Sequence, residues 1–326
     1  MTEQAADAAA TPATGTPGPR VPHSDDSRGL LFAVLAYGLW GVLPLYFLLL
    51  APSGAVEVVA WRVLFSLVFC ALLITVLRRW RSLAAVLRQP RVVFTMGLAG
   101  LLIYINWTIY VFAALNGQVV EAALGYFINP IVTVFLGVLV LHERLRRIQW
   151  VAVGISLLAV IVLTVGYGAP PWISLALAFT FGFYGLIKKR VGGSVDALTG
   201  LTLETAWLAP VAIVQLVVVA GLSGLTFGTV STWHTLGLLG AGIVTAVPLL
   251  LFAAAARRLP LTVIGLVQFV APVLQFVVGV FVLQEPMPPE RWAGFALVWV
   301  ALIILTVDMV HHARRSRRPT LPTPLA

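Results

Sequence analysis

Residues 119–165 read VVEAALGYFINPIVTVFLGVLVLHERLRRIQWVAVGISLLAVIVLTV, and residues 261–307 read LTVIGLVQFVAPVLQFVVGVFVLQEPMPPERWAGFALVWVALIILTV. The second stretch follows the first at an offset of 142 residues with no gap, and 14 of the 47 aligned pairs are identical. Pro130 pairs with Pro272, Gly137 with Gly279, Glu143 with Glu285, Trp150 with Trp292 and Thr164 with Thr306. The offset also holds upstream, where Ala99-Gly100 matches Ala241-Gly242 and Ala113-Ala114 matches Ala255-Ala256. Further back, Gly38-x-Trp40-Gly41 is echoed by Gly182-x-Tyr184-Gly185. Shared apolarity alone does not hold a proline, a glycine, a glutamate and a tryptophan in register, so the chain is read as a duplication.

Composition says where the duplicated unit lives. Of 326 residues, 60% are hydrophobic and 10% charged, with a mean hydropathy of +1.00. Soluble domains carry about 25% charged residues, so most of this chain does not face water. Apolar segments lie near 29–50, 56–77, 92–114, 119–140, 148–167, 171–188, 197–220, 233–256, 262–283 and 290–310. Each has about the 20 residues that span ~30 Å of hydrocarbon as a helix. The expected fold is an all-α integral membrane protein of ten transmembrane helices. Residues 1–27, rich in Ala, Thr, Pro and Gly, read as a disordered tail without a signal-peptide pattern. Residues 311–326 carry four arginines and read as a basic tail suited to an anionic leaflet.

The basic residues give an orientation. The net charge of +9 is confined to gaps between apolar runs, which argues for membrane-surface loops and against nucleic-acid binding. With both termini cytoplasmic, 19 of the 21 Lys and Arg fall on the cytoplasmic side, leaving Arg62 and Arg291. Five helices per copy is an odd number, so the second copy (169–310) enters the membrane upside down relative to the first (28–168). The charges follow this inversion: Arg144, Arg146 and Arg147 are replaced at the offset by Pro286, Pro288 and Pro289. Two inverted five-helix repeats imply a carrier that alternates access to a central site. A membrane receptor or scaffold without transport is the alternative.

Several stretches resemble a known family. AYGLWGVLPLYF, EAALGYFINP, LHERLRRIQW, AFTFGFYGLIKKR, LETAWLAP and AGIVTAVPLLLFAAAARR are similar to the RarD branch of the EamA drug/metabolite transporters. The resemblance spans residues 28 to 310. It implies a ten-helix permease of the bacterial inner membrane, loosely linked to chloramphenicol sensitivity, that moves a small metabolite or drug-like molecule. Trp61 stands where the family's His-Arg pair has histidine, and Pro286 directly follows Glu285.

Ionisable groups inside apolar segments are candidates for function because charge in lipid is costly. Arg62 lies about six residues into the second segment, ~9 Å from its outer end. Glu57 and Glu121 sit at that outer end and are its expected partners. Glu204 matches Arg62 at the offset, but inversion places it in the cytoplasmic third, toward the basic ends of the sixth or eighth segments. These charges fix helix packing, handle a substrate carboxylate or proton, or snorkel to the interface. Glu143 and Glu285 close the fourth and ninth segments and are expected to cap the helix that follows each, with a gate as the alternative.

The transport path is placed on the fourth and ninth segments. One helical face reads Tyr126, Pro130, Thr133 and Gly137, and its counterpart Gln268, Pro272, Gln275 and Gly279. Amides on an apolar helix avoid lipid, so Tyr126, Thr133, Gln268 and Gln275 are expected to line a midplane cavity, with Asn106 and Tyr110 completing its polar wall. A tight seam at Gly137 and Gly279 is the competing reading. Trp40, Tyr46, Tyr104, Trp107, Tyr184 and Trp207 line a cavity or pack at interfaces. Cys70 is the lone cysteine, and His142, His311 and His312 lack a ligand pattern, so no metal or cofactor is expected. No His-Glu-x-x-His, Gly-x-Ser-x-Gly or phosphate loop is present, which argues against an enzyme. The expected partners are a small-molecule substrate and membrane lipid, and a homodimer is compatible with the reading.

Overall fold

The structure, a computed structural model, describes residues 24–141, 146–191, 195–256, 258–259 and 261–315. Each apolar segment carries helix: α1 (Ser24–Leu48), α2 (Ala55–Val76), α4 (Pro90–Leu115), α5 (Val119–Leu141), α6 (Arg147–Tyr167), α7 (Trp172–Val191), α8 (Ala197–Leu222), α9 (Thr232–Ala256) and α12 (Pro289–Arg315). Between α2 and α4 lies a short helix, α3 (Trp80–Leu87), and the ninth segment forms α10 (Leu261–Val267), α11 (Val270–Val277) and a π-helical turn, Val278–Val282. Among the described residues, nine helical stretches are long and apolar enough to cross a membrane, and Trp172–Lys188 is a shorter apolar one. The protein is all-α and multi-span. Large apolar side chains such as Phe94, Val165, Val217 and Leu222 are exposed on its outside, a surface suited to lipid and not to water.

The ninth segment is not the continuous helix expected. Pro272 has no N–H, and its ring clashes with the carbonyl four residues back, that of Gln268. The break falls there, at Gln268–Phe269, between α10 and α11. Gln268 N still bonds the Ile264 carbonyl at 2.9 Å, and the helix restarts with Val273 N to Phe269 O at 3.1 Å. Pro130, its counterpart, is carried inside α5 without a break. Beyond the π turn, Gln284 adopts φ +53° and the Glu285 amide closes back on the Gly279 carbonyl at 3.0 Å. This reversal resembles a Schellman cap.

Helix packing is interlaced. α6 packs on α12, α5 on α7 and on α11, α1 on α9 and on α11, α2 on α8 and α9, and α4 on α7 and α8. Buried residues fall into two clusters. One joins α1, α2, α3, α4, α7, α8 and α9 with Val119 and Ala122 of α5; the other joins α5, α6, α11 and α12 with Ala178 of α7. Two glycines permit close backbone approaches in the first. A Cβ on Gly242 would stand 2.3 Å from the Phe65 carbonyl oxygen, and one on Gly100 would stand 3.1 Å from the Glu204 carbonyl oxygen. At the start of α8, Asp196 accepts from the Leu198 and Thr199 amides at 3.1 and 3.2 Å. Burial pushes the Asp196 carboxyl up, but the Thr199 hydroxyl, these amides and Arg79 outweigh it and hold its pKa below the ordinary value.

Candidate functional site

Polar side chains converge where α1, α2, α4, α5, α9 and α11 meet. Arg62 is 4% exposed, and its Nε donates to Thr245 Oγ1 on α9 at 2.7 Å. Thr245 passes its own proton to the Ala241 carbonyl at 2.7 Å. The guanidinium carbon lies 4.2 Å from the Trp107 ring centroid and 5.6 Å from that of Phe47. The hydroxyls of Tyr126, Tyr46 and Tyr110 are within electrostatic reach of it. Thr245 is the neighbour of Arg62 that sequence reasoning missed. Nothing in a lone threonine marks it as the partner of an arginine 183 residues away.

The expected acidic partners of Arg62 are engaged elsewhere, which corrects the pairing with Glu57 or Glu121. Glu57 accepts from the Thr226 and Phe227 amides at 2.8 and 3.3 Å and from Trp61 Nε1 at 3.3 Å. Glu121 accepts from the Ile173 amide at 3.2 Å, at the start of α7. Both carboxylates thus serve peptide N–H groups near chain turns, where several such donors lack helical partners. Ion pairs form between Arg146 and Asp308 at 2.9 Å and between Lys188 and Glu204 at 2.8 Å. Arg62 Nη1 is left with no partner. A buried charge without its counter-ion costs several kcal/mol even after relaxation, and aromatic faces return only about 0.5–2 kcal/mol each.

Beside the arginine, Tyr126 donates to Asn106 Oδ1 at 3.1 Å, while Asn106 Nδ2 donates to the Leu177 carbonyl at 3.1 Å and to Thr180 Oγ1 at 3.0 Å. The Tyr110 and Tyr126 rings meet edge to face at 5.7 Å. Gln275 Nε2 donates to the Trp40 carbonyl at 3.1 Å, tying α11 to α1. Its Oε1 and the Tyr110 hydroxyl each lack a well-placed hydrogen bond, although the two side chains are within reach of one another. So Asn106, Tyr110, Tyr126, Gln275 and Trp40 come together around Arg62.

Other candidates lie apart from this cluster. Thr133 is exposed, and Gln268 borders an apolar crevice with Pro130, Phe269, Leu302 and Thr306. Pro272 is buried in α11. Gly137 is buried, and Gly279 packs so closely that a Cβ there would stand 2.6 Å from Val120 Cγ2. Glu204, nearer the other end of the bundle, bonds Lys188 Nζ at 2.8 Å and faces the Tyr184 hydroxyl at 3.4 Å.

Glu285 is a cap, but not of the helix that follows it. Its Oε1 and Oε2 accept from the Val119 and Val120 amides at 2.7 and 2.9 Å, closing the amino end of α5. The turn at Gln284 reverses the chain and delivers the carboxylate to that neighbour instead of to α12. Glu143 and His142 lie outside the described residues. Among the described residues no three His, Cys, Asp or Glu side chains gather as metal ligands.

Residues 27–165 match the EamA-like transporter family. Protein RarD of Streptomyces exfoliatus is 50% identical over 307 residues, covering 93% of this chain and 97% of that one. Protein RarD of Escherichia coli (strain K12) is 40% identical, covering 89% and 98%. The chloramphenicol-sensitive protein RarD of Pseudomonas aeruginosa is 31% identical, covering 89% and 97%. A crystal structure with 19% sequence identity shares the fold, with a TM-score of 0.56 over 86% of this chain and 97% of the other. With half its residues shared with one RarD protein over nearly the full length of both, the chain belongs to the RarD group of the EamA-like transporters, a family of multi-pass membrane proteins that move small molecules and are not enzymes.

Proposed function

We propose that the chain is a secondary carrier of a small metabolite or drug-like molecule in the bacterial inner membrane, working by alternating access between inverted repeats. The observation that carries this is the pattern of helix neighbours. Exchanging the repeats turns α1 into α7, α2 into α8, α4 into α9, α5 into α10–α11 and α6 into α12. Under that exchange α1–α9 becomes α7–α4, α2–α9 becomes α8–α4 and α5–α7 becomes α11–α1, each a pair that packs together. The pairs α2–α8, α5–α11 and α6–α12 map onto themselves. Gly100 and Gly242, counterparts at the 142 offset, each admit a backbone of the opposite repeat. Ten spans with both termini cytoplasmic account for the placement of the basic residues.

In this reading the moving bodies are not the two sequence halves. They are two groups of helices that follow the buried clusters in the main, α1, α2, α4, α7, α8 and α9 in one and α5, α6, α11 and α12 in the other; the exchange carries each group onto itself, and α5 and α7 pack across the boundary. The path runs between them, past Tyr126, Asn106, Tyr110 and Gln275. Thr133 and Gln268 line its cytoplasmic approach, while Trp40 and Tyr184 flank it. The exposed apolar faces meet lipid or a second copy in a homodimer. α3 lies at the cytoplasmic interface, with Leu83 and Val86 buried and arginines on either side.

Counterflow in proteoliposomes against a panel of organic acids, amino acids and amphiphilic drugs separates this from a receptor or scaffold. Wild type should show saturable uptake of at least one solute. Gln275→Cys, in a Cys70→Ser background, should be blocked by a water-soluble thiol reagent while Val273→Cys is not. Val273 is exposed on α11 and is the usable control, since Ile131 is buried. Absence of saturable uptake across the panel favours the receptor or scaffold; equal block of both variants moves the path elsewhere.

A further inference from the structure

A guanidinium offers five N–H donors in a planar fork. In Arg62 the Nε donor is taken by Thr245 and Nη1 has no partner, although the side chain is almost wholly buried. The Tyr110 hydroxyl, on the neighbouring helix and within electrostatic reach, is also buried without a well-placed hydrogen bond. Buried donors in folded proteins are nearly always satisfied. An orphaned cationic donor with no counter-ion, beside a tyrosine hydroxyl that reaches Gln275 without a well-placed bond, describes a place prepared for an acceptor that carries negative charge.

We propose that the Arg62 pocket binds the carboxylate of a small monocarboxylate with an apolar or aromatic body, a reading that rests on the carrier function above. The carboxylate accepts from Arg62 Nη1 and from the Tyr110 hydroxyl, and one anion against one cation leaves a neutral complex. A monoanion fits better than a phosphate dianion, because the described groups around Arg62 are tyrosines, Thr245 and aromatic rings, with no second cation among them. Burial of Arg62 argues against a lipid headgroup as the occupant. The walls are aromatic: Phe47, Trp107, Tyr110 and Tyr126 surround the guanidinium, and the Trp107 face holds it in a fixed plane. Such rings give the body of the ligand a surface to stack on. The inverted counterpart of Arg62 is Glu204, whose charge Lys188 already neutralises, so the pocket is polarised and not duplicated.

The test uses the purified full chain in detergent and reads thermal unfolding and tryptophan fluorescence with 3-phenylpropanoate, its amide and phenyl phosphate. The acid should bind at least about 10-fold more tightly than the amide, as expected for hydrogen bonds to a charged group. Arg62→Gln should erase that difference, and Arg62→Lys should keep part of it. Tyr110→Phe should weaken the acid several-fold while leaving unfolding unchanged, and it keeps the test alive where Arg62→Gln fails to fold. Arg146→Gln, which removes an arginine outside the pocket, should bind as wild type. Equal affinity for acid and amide, no binding of either, or undiminished acid binding by Arg62→Gln overturns the proposal; so does tighter binding of phenyl phosphate. Flux of the panel's organic acids that ignores Arg62→Gln sinks the carboxylate site and keeps the carrier. Acid binding with no flux of any panel solute sinks the carrier and keeps the site.

Discussion

Glu285→Ala removes both acceptors from the amino end of α5. The carboxylate is 6% exposed and takes the Val119 and Val120 amides at 2.7 and 2.9 Å, so no water stands ready to replace it. Hydrogen bonds to a charged group contribute about 1.5–3 kcal/mol each, while loss of a helix cap costs about 0.5–2 kcal/mol. Two such bonds sum to about 3–6 kcal/mol and the cap scale reaches about 2, so the expected cost lies between the two, at about 2–3 kcal/mol. Gln is the informative second variant, because it keeps one acceptor and turns the other into a donor aimed at an N–H. Glu285→Gln should therefore cost nearly as much as Glu285→Ala. Reversible unfolding in mixed micelles measures both. A Glu285→Ala variant within about 0.5 kcal/mol of wild type would refute the cap, as would a fully stable Glu285→Gln.

Two other perturbations probe the packing. Gly242→Ala forces a Cβ to 2.3 Å from the Phe65 backbone, so α2 and α9 must part, at about 1–3 kcal/mol; Gly154→Ala, with nothing within 4 Å, should be neutral or stabilising, and equal unfolding of the two variants would contradict the close approach. Removing one partner of Lys188–Glu204 should be asymmetric: Lys188→Met strands a carboxylate 3% exposed, while Glu204→Gln frees a lysine 32% exposed that can turn to water. Lys188→Met should thus cost more, about 2–3 kcal/mol, and the double variant less than the sum; additivity within about 0.5 kcal/mol would remove the coupling.

Periodicity and hydropathy located every long helix because lipid imposes a length and an apolar composition that few other structures share. α3 escaped notice because eight residues between arginines carry no such signal. The break in the ninth segment was half legible: Pro272 removes a donor in either repeat, yet α5 absorbs Pro130 without interruption. At the site, Asn106, Tyr110, Tyr126 and Gln275 were found from polarity alone, since polar groups in lipid need a protein environment. Their partners were not. Thr245, the Trp40 carbonyl and the α5 amides that hold Glu285 depend on which helices become neighbours, and no residue pattern along one strand of chain encodes that.

The interlaced packing bears on how the molecule comes to exist. α1, α2, α4 and α5 find their main neighbours in α7, α8, α9 and α11, all made later, and α6 waits for α12. At roughly 5–20 residues per second of synthesis, the 183 residues between Arg62 and Thr245 take roughly 10–40 s. For that interval the nascent first half holds a charged side chain in or near the bilayer before its hydroxyl partner has been translated. Lys188 and Glu204, 16 residues apart, meet almost at once. A ribosome stalled after α6 would leave a fragment whose intramembrane arginine lacks its hydroxyl partner, and that fragment is the form a membrane protease should prefer.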